Sequence, residues 1–185
     1  MLAETGAKRD PVATVTMHSG SGSVVSNLRM LSSEHMCLGS SLLNHNGLMT
    51  PHLGQVFGTV YAIQHIQEEV FGVIHRESSL YQLASDIKIL DASLGLVSRS
   101  LPDAVLRALK STQIPFGQLL IDNEIEAEIS NCTLFTRDNS AGDQILGRRH
   151  TILDSSTGEP LCHVEERLAP EHSLIKAKKF FWSKK

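Results

Sequence analysis

The sequence predicts an α+β fold built on one antiparallel sheet. Three observations lead there. Leucines recur at helical spacing in the early ordered part, near residues 26–43. About six strand-type segments follow, from Val56 to Leu168. A helical insert opened by Leu101-Pro102-Asp103 interrupts them. Helices first and strands afterwards, rather than strict alternation, is the pattern of segregated layers.

Each element has its own reason. Residues 1–23 are polar and end in the run Ser19-Gly20-Ser21-Gly22-Ser23, which reads as a mobile arm. Residues 26–38 place Leu28, Leu31 and Leu38 with Met30 on a helical stripe, and Gly39 reads as its stop. A second short helix carries Leu42 and Leu43 and ends at His45-Asn46-Gly47. Val56–Ile63 is rich in β-formers, and residues 68–75 and 86–97 are further strand candidates. Pro102 suits a first helical turn and Asp103 the positive helix end, with Val105, Leu106 and Leu109 as the buried stripe. Ile114-Pro115-Phe116-Gly117 breaks that helix, and Gln118–Asp122 forms another. Residues 124–129 set Glu124, Glu126 and Glu128 against Ile125, Ala127 and Ile129, a strand with one wet face. Residues 132–137, 146–154 and 160–168 complete the set.

Composition excludes several classes. A length of 185 residues, 41% hydrophobic, is enough for one core. A net charge of −3 gives no nucleic-acid surface. No run approaches the ~20 apolar residues of a membrane helix, and the first residues lack the apolar stretch of a secretory signal. Three widely spaced cysteines, Cys37, Cys132 and Cys162, fit reduced thiols in a cytoplasm, and without a CxxC pair a structural zinc site is not expected. The ordered domain is expected over residues 24–175. Residues 176–185, KAKKFFWSKK, form a basic, aromatic tail of the kind that docks on a membrane surface or a partner, without being a stable anchor.

The segment from Gly147 to Glu171, GRRHTILDSSTGEPLCHVEERLAPE, carries the most chemistry. Two strand-like runs flank a Ser-Thr-Gly turn. The first opens with Arg148 and Arg149, the second holds Glu165 and Glu166. Strand neighbours point to opposite faces. One carboxylate of the pair therefore faces the interior, as does at most one arginine. An enclosed carboxylate must be paired or protonated, and such groups are often catalytic. Glu165 shares its face with Leu161, His163 and Arg167, and Glu166 shares the other with Cys162 and Val164. The pattern alone does not choose between them. His150 and His163 fall on neighbouring strands, but two ligands without a third make a weak metal site.

These residues resemble chorismate pyruvate-lyase, the 4-hydroxybenzoate synthase family. The resemblance rests on five blocks in order: Gly47-Leu48-Met49-Thr50; His75-Arg76-Glu77-Ser78-Ser79-Leu80; Ser100-Leu101-Pro102; Ile114-Pro115-Phe116-Gly117-Gln118-Leu119-Leu120; and the closing segment. It implies a six-stranded antiparallel sheet with helices and helical flaps on one side. It implies elimination of pyruvate from chorismate to give 4-hydroxybenzoate, with no cofactor, in a cytoplasmic monomer or homodimer. Arg76 matches a carboxylate clamp, for which a guanidinium fork is suited. Glu165 matches the general acid through its Glu-x-x-Leu-x-Pro context; a glutamate shut in a dry pocket holds its proton to higher pH. Met49 and Thr50 match a flap, and Phe116 and Gly117 a helix start whose backbone N–H groups meet the second carboxylate. The arginine pair suggests one buried ion pair and one solvated residue. Pro51 and Phe116 depart from the family pattern, at the flap and the pocket wall. The alternatives are an enzyme acting on another chorismate-like substrate and a non-catalytic aryl-carboxylate-binding module of the same fold.

Overall fold

The computed structural model describes residues 14–18, 23–27, 36–111, 113–138 and 144–183. Its centre is a six-stranded antiparallel sheet in the order β3-β4-β5-β8-β7-β6. These strands are β3 (Val60–Val70), β4 (Val73–Gln82), β5 (Lys88–Val97), β6 (Ala127–Asp138), β7 (Gln144–Asp154) and β8 (Pro160–Leu168). They form two antiparallel meanders, β3-β4-β5 and β6-β7-β8. The last strand of one lies against the last strand of the other, with Leu90 opposite Leu168 and Leu94 opposite Val164. Between the meanders the chain leaves the sheet for α3 (Asp103–Ser111) and α4 (Phe116–Asp122). The predicted α+β class and single antiparallel sheet are therefore those of the protein.

One face of the sheet carries the core. Leu90, Leu94 and Leu96 of β5, Val164 and Leu168 of β8, and Ile152 of β7 are all buried. Leu53 and Phe57 of α2 (Met49–Phe57), Leu42 and Leu43 of α1 (Met36–Leu43), Leu119 and Leu120 of α4, and Leu174 and Ala177 of α5 (Glu171–Trp182) close over it. The amide of the buried Gln82 donates to the carbonyls of Phe57 (2.7 Å) and Ala177 (3.2 Å), tying the end of α2 and the middle of α5 to β4.

Several elements differ from expectation. Val56 and Phe57 end a helix rather than open a strand, because Phe57 lies on the same helical stripe as Met49, Thr50 and Leu53. Residues 68–75 straddle a hairpin turn: Phe71 and Gly72 both take positive φ, 52° and 77°, as a tight two-residue turn requires. Residues 124–126 precede the strand, and residues 127–129 and 132–137 belong to one strand, kinked at Asn131 (φ 54°), where the register shifts. Gly39 lies inside α1. A Cβ there would stand 2.6 Å from Leu146, so glycine serves the close approach of α1 to β7 instead of a stop. A hairpin, β1 (Thr14–His18) with β2 (Ser23–Asn27), occupies part of the predicted arm and the start of the predicted first helix; residues 28–35 lie outside the described ones. The boundary expected at residue 175 falls within α5. No helix among the described residues is long and apolar enough to cross a membrane.

Candidate active site

The phase of β8 decides which glutamate faces inward. Cys162, Val164, Glu166 and Leu168 are buried on the helix-covered face, whereas His163 is exposed and Glu165 partly exposed on the other. Three arginines surround Glu165: Arg149 Nε donates to it at 2.7 Å, and nitrogens of Arg167 and Arg137 stand 3.8 and 3.9 Å away. The structure therefore sets Glu165 apart from the flap residues expected beside it. Its side chain belongs to the uncovered face, and the sheet itself separates it from the flap residues. Glu166 keeps apolar company on its own face, Cys162, Val164 and Leu168, but which face the helices cover is not written in that alternation.

Glu166 is 6% exposed and pairs with the fully buried Arg148, whose Nε lies 2.5 Å from Oε2. Burial raises the Glu166 carboxyl above its ordinary range, and Arg148 opposes that rise only in part. Arg148 also donates from Nη1 to the carbonyl of His45 (3.0 Å) and from Nη2 to that of Gly47 (3.4 Å). The acid is thus bound through one guanidinium to the loop that leads into α2. Arg149 is exposed and lies over the Phe135 ring at 4.6 Å. The expected division of the arginine pair, one buried in an ion pair and one solvated, is what the register produces.

A narrow hollow of about 40 Å³ lies under the helices. That is far below the ~300–1,000 Å³ of small-molecule pockets, so a ring-sized ligand fits only if the roof moves. Met49 and Thr50 of α2 and Phe116 and Gly117 of α4 form its roof, together with Leu48 and Pro115. Ser78, Ala92 and Glu166 form its floor, and they occupy one row across the sheet, which continues to Arg148. The short side chains of Ser78 and Ala92 recess this floor. The two roof helices touch: a Cβ on Gly117 would lie 2.9 Å from Thr50 Oγ1. Gly117 is therefore the position that lets α4 seat against α2.

Arg76 belongs to the next row, Arg76-Leu94-Val164-His150, on the same face. It is 1% exposed, and none of its three guanidinium nitrogens has a hydrogen-bond partner. Desolvation lowers its affinity for a proton. Strand spacing puts the Arg76 and Glu166 backbones roughly 12 Å apart, two strands and one row removed. An isolated buried cation is costly. This one stands in a row that lines a hollow, on the same face as a buried acid.

His150 completes the enclosure. It lines the hollow, its Nδ1 is 4.0 Å from Glu166 Oε2 and lacks a hydrogen bond, and burial with the nearby Arg148 charge depresses it to about 3. It is a neutral imidazole at physiological pH. His163, opposite Thr151, points to the other face, so the two histidines cannot share a ligand. Among the described residues no group of three or more side chains is arranged to hold a metal ion.

Of the residues expected at the site, Met49, Thr50, Phe116 and Gly117 meet around one hollow and Arg76 stands on the same face beside it, while Glu165 lies across the sheet. Neither a family model nor a curated protein matches this chain. Its fold is similar to the crystal structure of gene product SA0254 from Staphylococcus aureus subsp. aureus N315, at 12% identity and a TM-score of 0.48, covering 70% of this chain and 92% of that one.

Proposed function

We propose that the hollow is the active site of a lyase that releases pyruvate from chorismate and leaves 4-hydroxybenzoate, with Glu166 rather than Glu165 as the acid. The observation that carries this reading is the unpartnered Arg76 guanidinium, buried on the same sheet face as a buried carboxyl and in the row whose Leu94, Val164 and His150 line the hollow. A buried cation without a partner calls for an anion, and a substrate carboxylate supplies one in the bidentate geometry that guanidinium favours. Apolar walls from Leu80, Leu90 and Leu94 suit a six-membered ring.

The reaction breaks the ring carbon–oxygen bond of the enolpyruvyl ether. The adjacent ring carbon, which bears the hydroxyl, loses its proton, and the ring becomes aromatic. Glu166 gives its proton to the departing oxygen and takes up the ring proton, while the enol leaves and tautomerises to pyruvate. Burial of Glu166 favours its protonated form, which the donation needs. Aromatisation supplies the driving force without a cofactor. The hollow is narrow, so entry requires the roof of α2 and α4 to lift, and release of product is expected to be slow.

One observation favours a second reading. Arg148 engages Glu166 directly, and a guanidinium holds a carboxyl in its ionised form. On that reading the pair is structural and the hollow binds an aryl carboxylate without chemistry. Incubation of the purified chain with chorismate, with both products identified by mass, separates the two. Turnover lost in Glu166→Gln and Arg76→Met but kept in Glu165→Gln supports the lyase. Tight binding of 4-hydroxybenzoate with no turnover by the wild type supports the binding module. Loss of turnover in Glu165→Gln alone would reject the assignment of the acid.

A further inference from the structure

The outer face of α5 is a basic, apolar surface that the proposed reaction does not use. Leu174 and Ala177 face the core, and Phe181 lies against Gly58, where a Cβ would come within 2.7 Å of the ring. Seating these residues fixes the rotation of the helix and turns Ile175 and Trp182 outward, 38% and 54% exposed. They are seven residues apart, so one lies two turns beyond the other on the same face. Phe181 meets the Trp182 ring edge-on at 5.7 Å. Leu38 of α1 borders the same shallow groove, so the apolar spine continues onto a second helix.

Lysines flank this spine. Lys178 lies on one side and Lys179 on the other, both lining the groove, with Lys176 further round the helix. Glu171 is the one acid on the groove. The charge is set apart from the rest of the molecule. The whole chain has net charge −3, residues 176–185 hold five lysines and no acid, and the other 175 residues therefore carry −8. A Trp and an Ile on a helix lying flat on the surface, flanked by lysines, match the anatomy of an interfacial helix: apolar residues at the acyl boundary and cations among headgroups.

We propose that this face docks reversibly on anionic lipid bilayers. Two other occupants fit less well. A second copy placed by a two-fold axis would set this patch against itself and oppose lysine to lysine. A specific protein interface needs about 800 Å² per partner around a packed apolar centre, whereas the spine here has three side chains. A fluid, negatively charged surface asks only for diffuse charge and shallow insertion. One signal of this size gives reversible association, not an anchor.

Trp182 is the chain's single tryptophan, so its emission reports on this face alone. The full chain is titrated with vesicles of equal parts phosphatidylglycerol and phosphatidylcholine at about 0.1 M salt, with pure phosphatidylcholine vesicles in parallel. The expected result is a blue shift and co-sedimentation with the anionic vesicles only, reversed at about 1 M salt, where the screening length falls to ~3 Å. A triple variant, Lys176→Gln, Lys178→Gln and Lys179→Gln, should fold normally by circular dichroism and bind on the order of 100-fold more weakly. Absence of binding to anionic vesicles, equal binding to neutral ones, or an unchanged triple variant would overturn the proposal. So would capture of this face by an acidic protein in the absence of any vesicle binding.

Discussion

Arg148→Ala is the most informative perturbation of the buried site. In the wild type, Arg148 is fully buried and its Nε contacts Glu166, which is also buried. Removing the guanidinium leaves Glu166 without a counter-charge, so the folded variant must keep that carboxyl protonated. The unfolded chain ionises it at the ordinary value near 4.5. A group with a raised folded value contributes stability that is complete below the unfolded value and is lost as pH rises toward the folded one. In the wild type that loss stops once Glu166 ionises against Arg148; in the variant it continues. Each pH unit is about 1.4 kcal/mol, so the two and a half units between 4.5 and 7 set an upper bound of about 3.4 kcal/mol on the pH-dependent deficit, reduced by what the wild type itself loses. That agrees with the ~3–5 kcal/mol cost of breaking one side of a buried pair. Lost donation to the His45 and Gly47 carbonyls adds a part that does not depend on pH. Urea unfolding at several pH values between 4.5 and 8 measures the gap. It should widen with pH, and most of the slope should vanish in Arg148→Ala with Glu166→Gln. A gap independent of pH would refute the argument that Glu166 is the group left exposed to this penalty.

Four further outcomes are expected. Arg76→Met should raise the urea midpoint, by about 1–3 kcal/mol in stability, because it removes a buried cation with no partner, while abolishing binding of aryl carboxylates by calorimetry; a less stable variant would mean the guanidinium is satisfied in the free protein. His150 is depressed to about 3 from 6.5, so the folded state binds fewer protons and wild-type stability should fall as pH drops below 6.5, at up to about 1.4 kcal/mol per unit from this residue. His150→Gln should flatten that limb, and an unchanged profile would count against a neutral buried imidazole. Gly117→Ala would press on Thr50 Oγ1 and should part the roof helices, costing about 1–3 kcal/mol and speeding ligand release in stopped-flow; slower release would contradict the roof. Gly147→Ala would drive a methyl into the Phe135 ring and to within 2.6 Å of the Glu166 carbonyl oxygen, so it should unfold at clearly lower urea.

Local chemistry made much of this protein legible in its sequence. Leu101-Pro102-Asp103 marked the start of α3, and the break at Ile114–Gly117 placed α4, because Pro and Gly act on the backbone whatever surrounds them. The alternation around Arg148 and Arg149 fixed that they would part to opposite faces, since the strand period is two. Other features depend on contacts far along the chain. Gly39 signals a stop by propensity, yet the nearness of Leu146 makes it part of a helix. Phe57 is β-prone by type, yet it is buried where α2 packs on the sheet. The choice between Glu165 and Glu166 rests on which face α2 and α4 cover, and helices some fifty and a hundred residues upstream decide that. Sequence determines that two adjacent carboxylates must differ in environment; only the packing of one face against helices, which excludes water there and admits it on the other side, decides which becomes the enclosed acid.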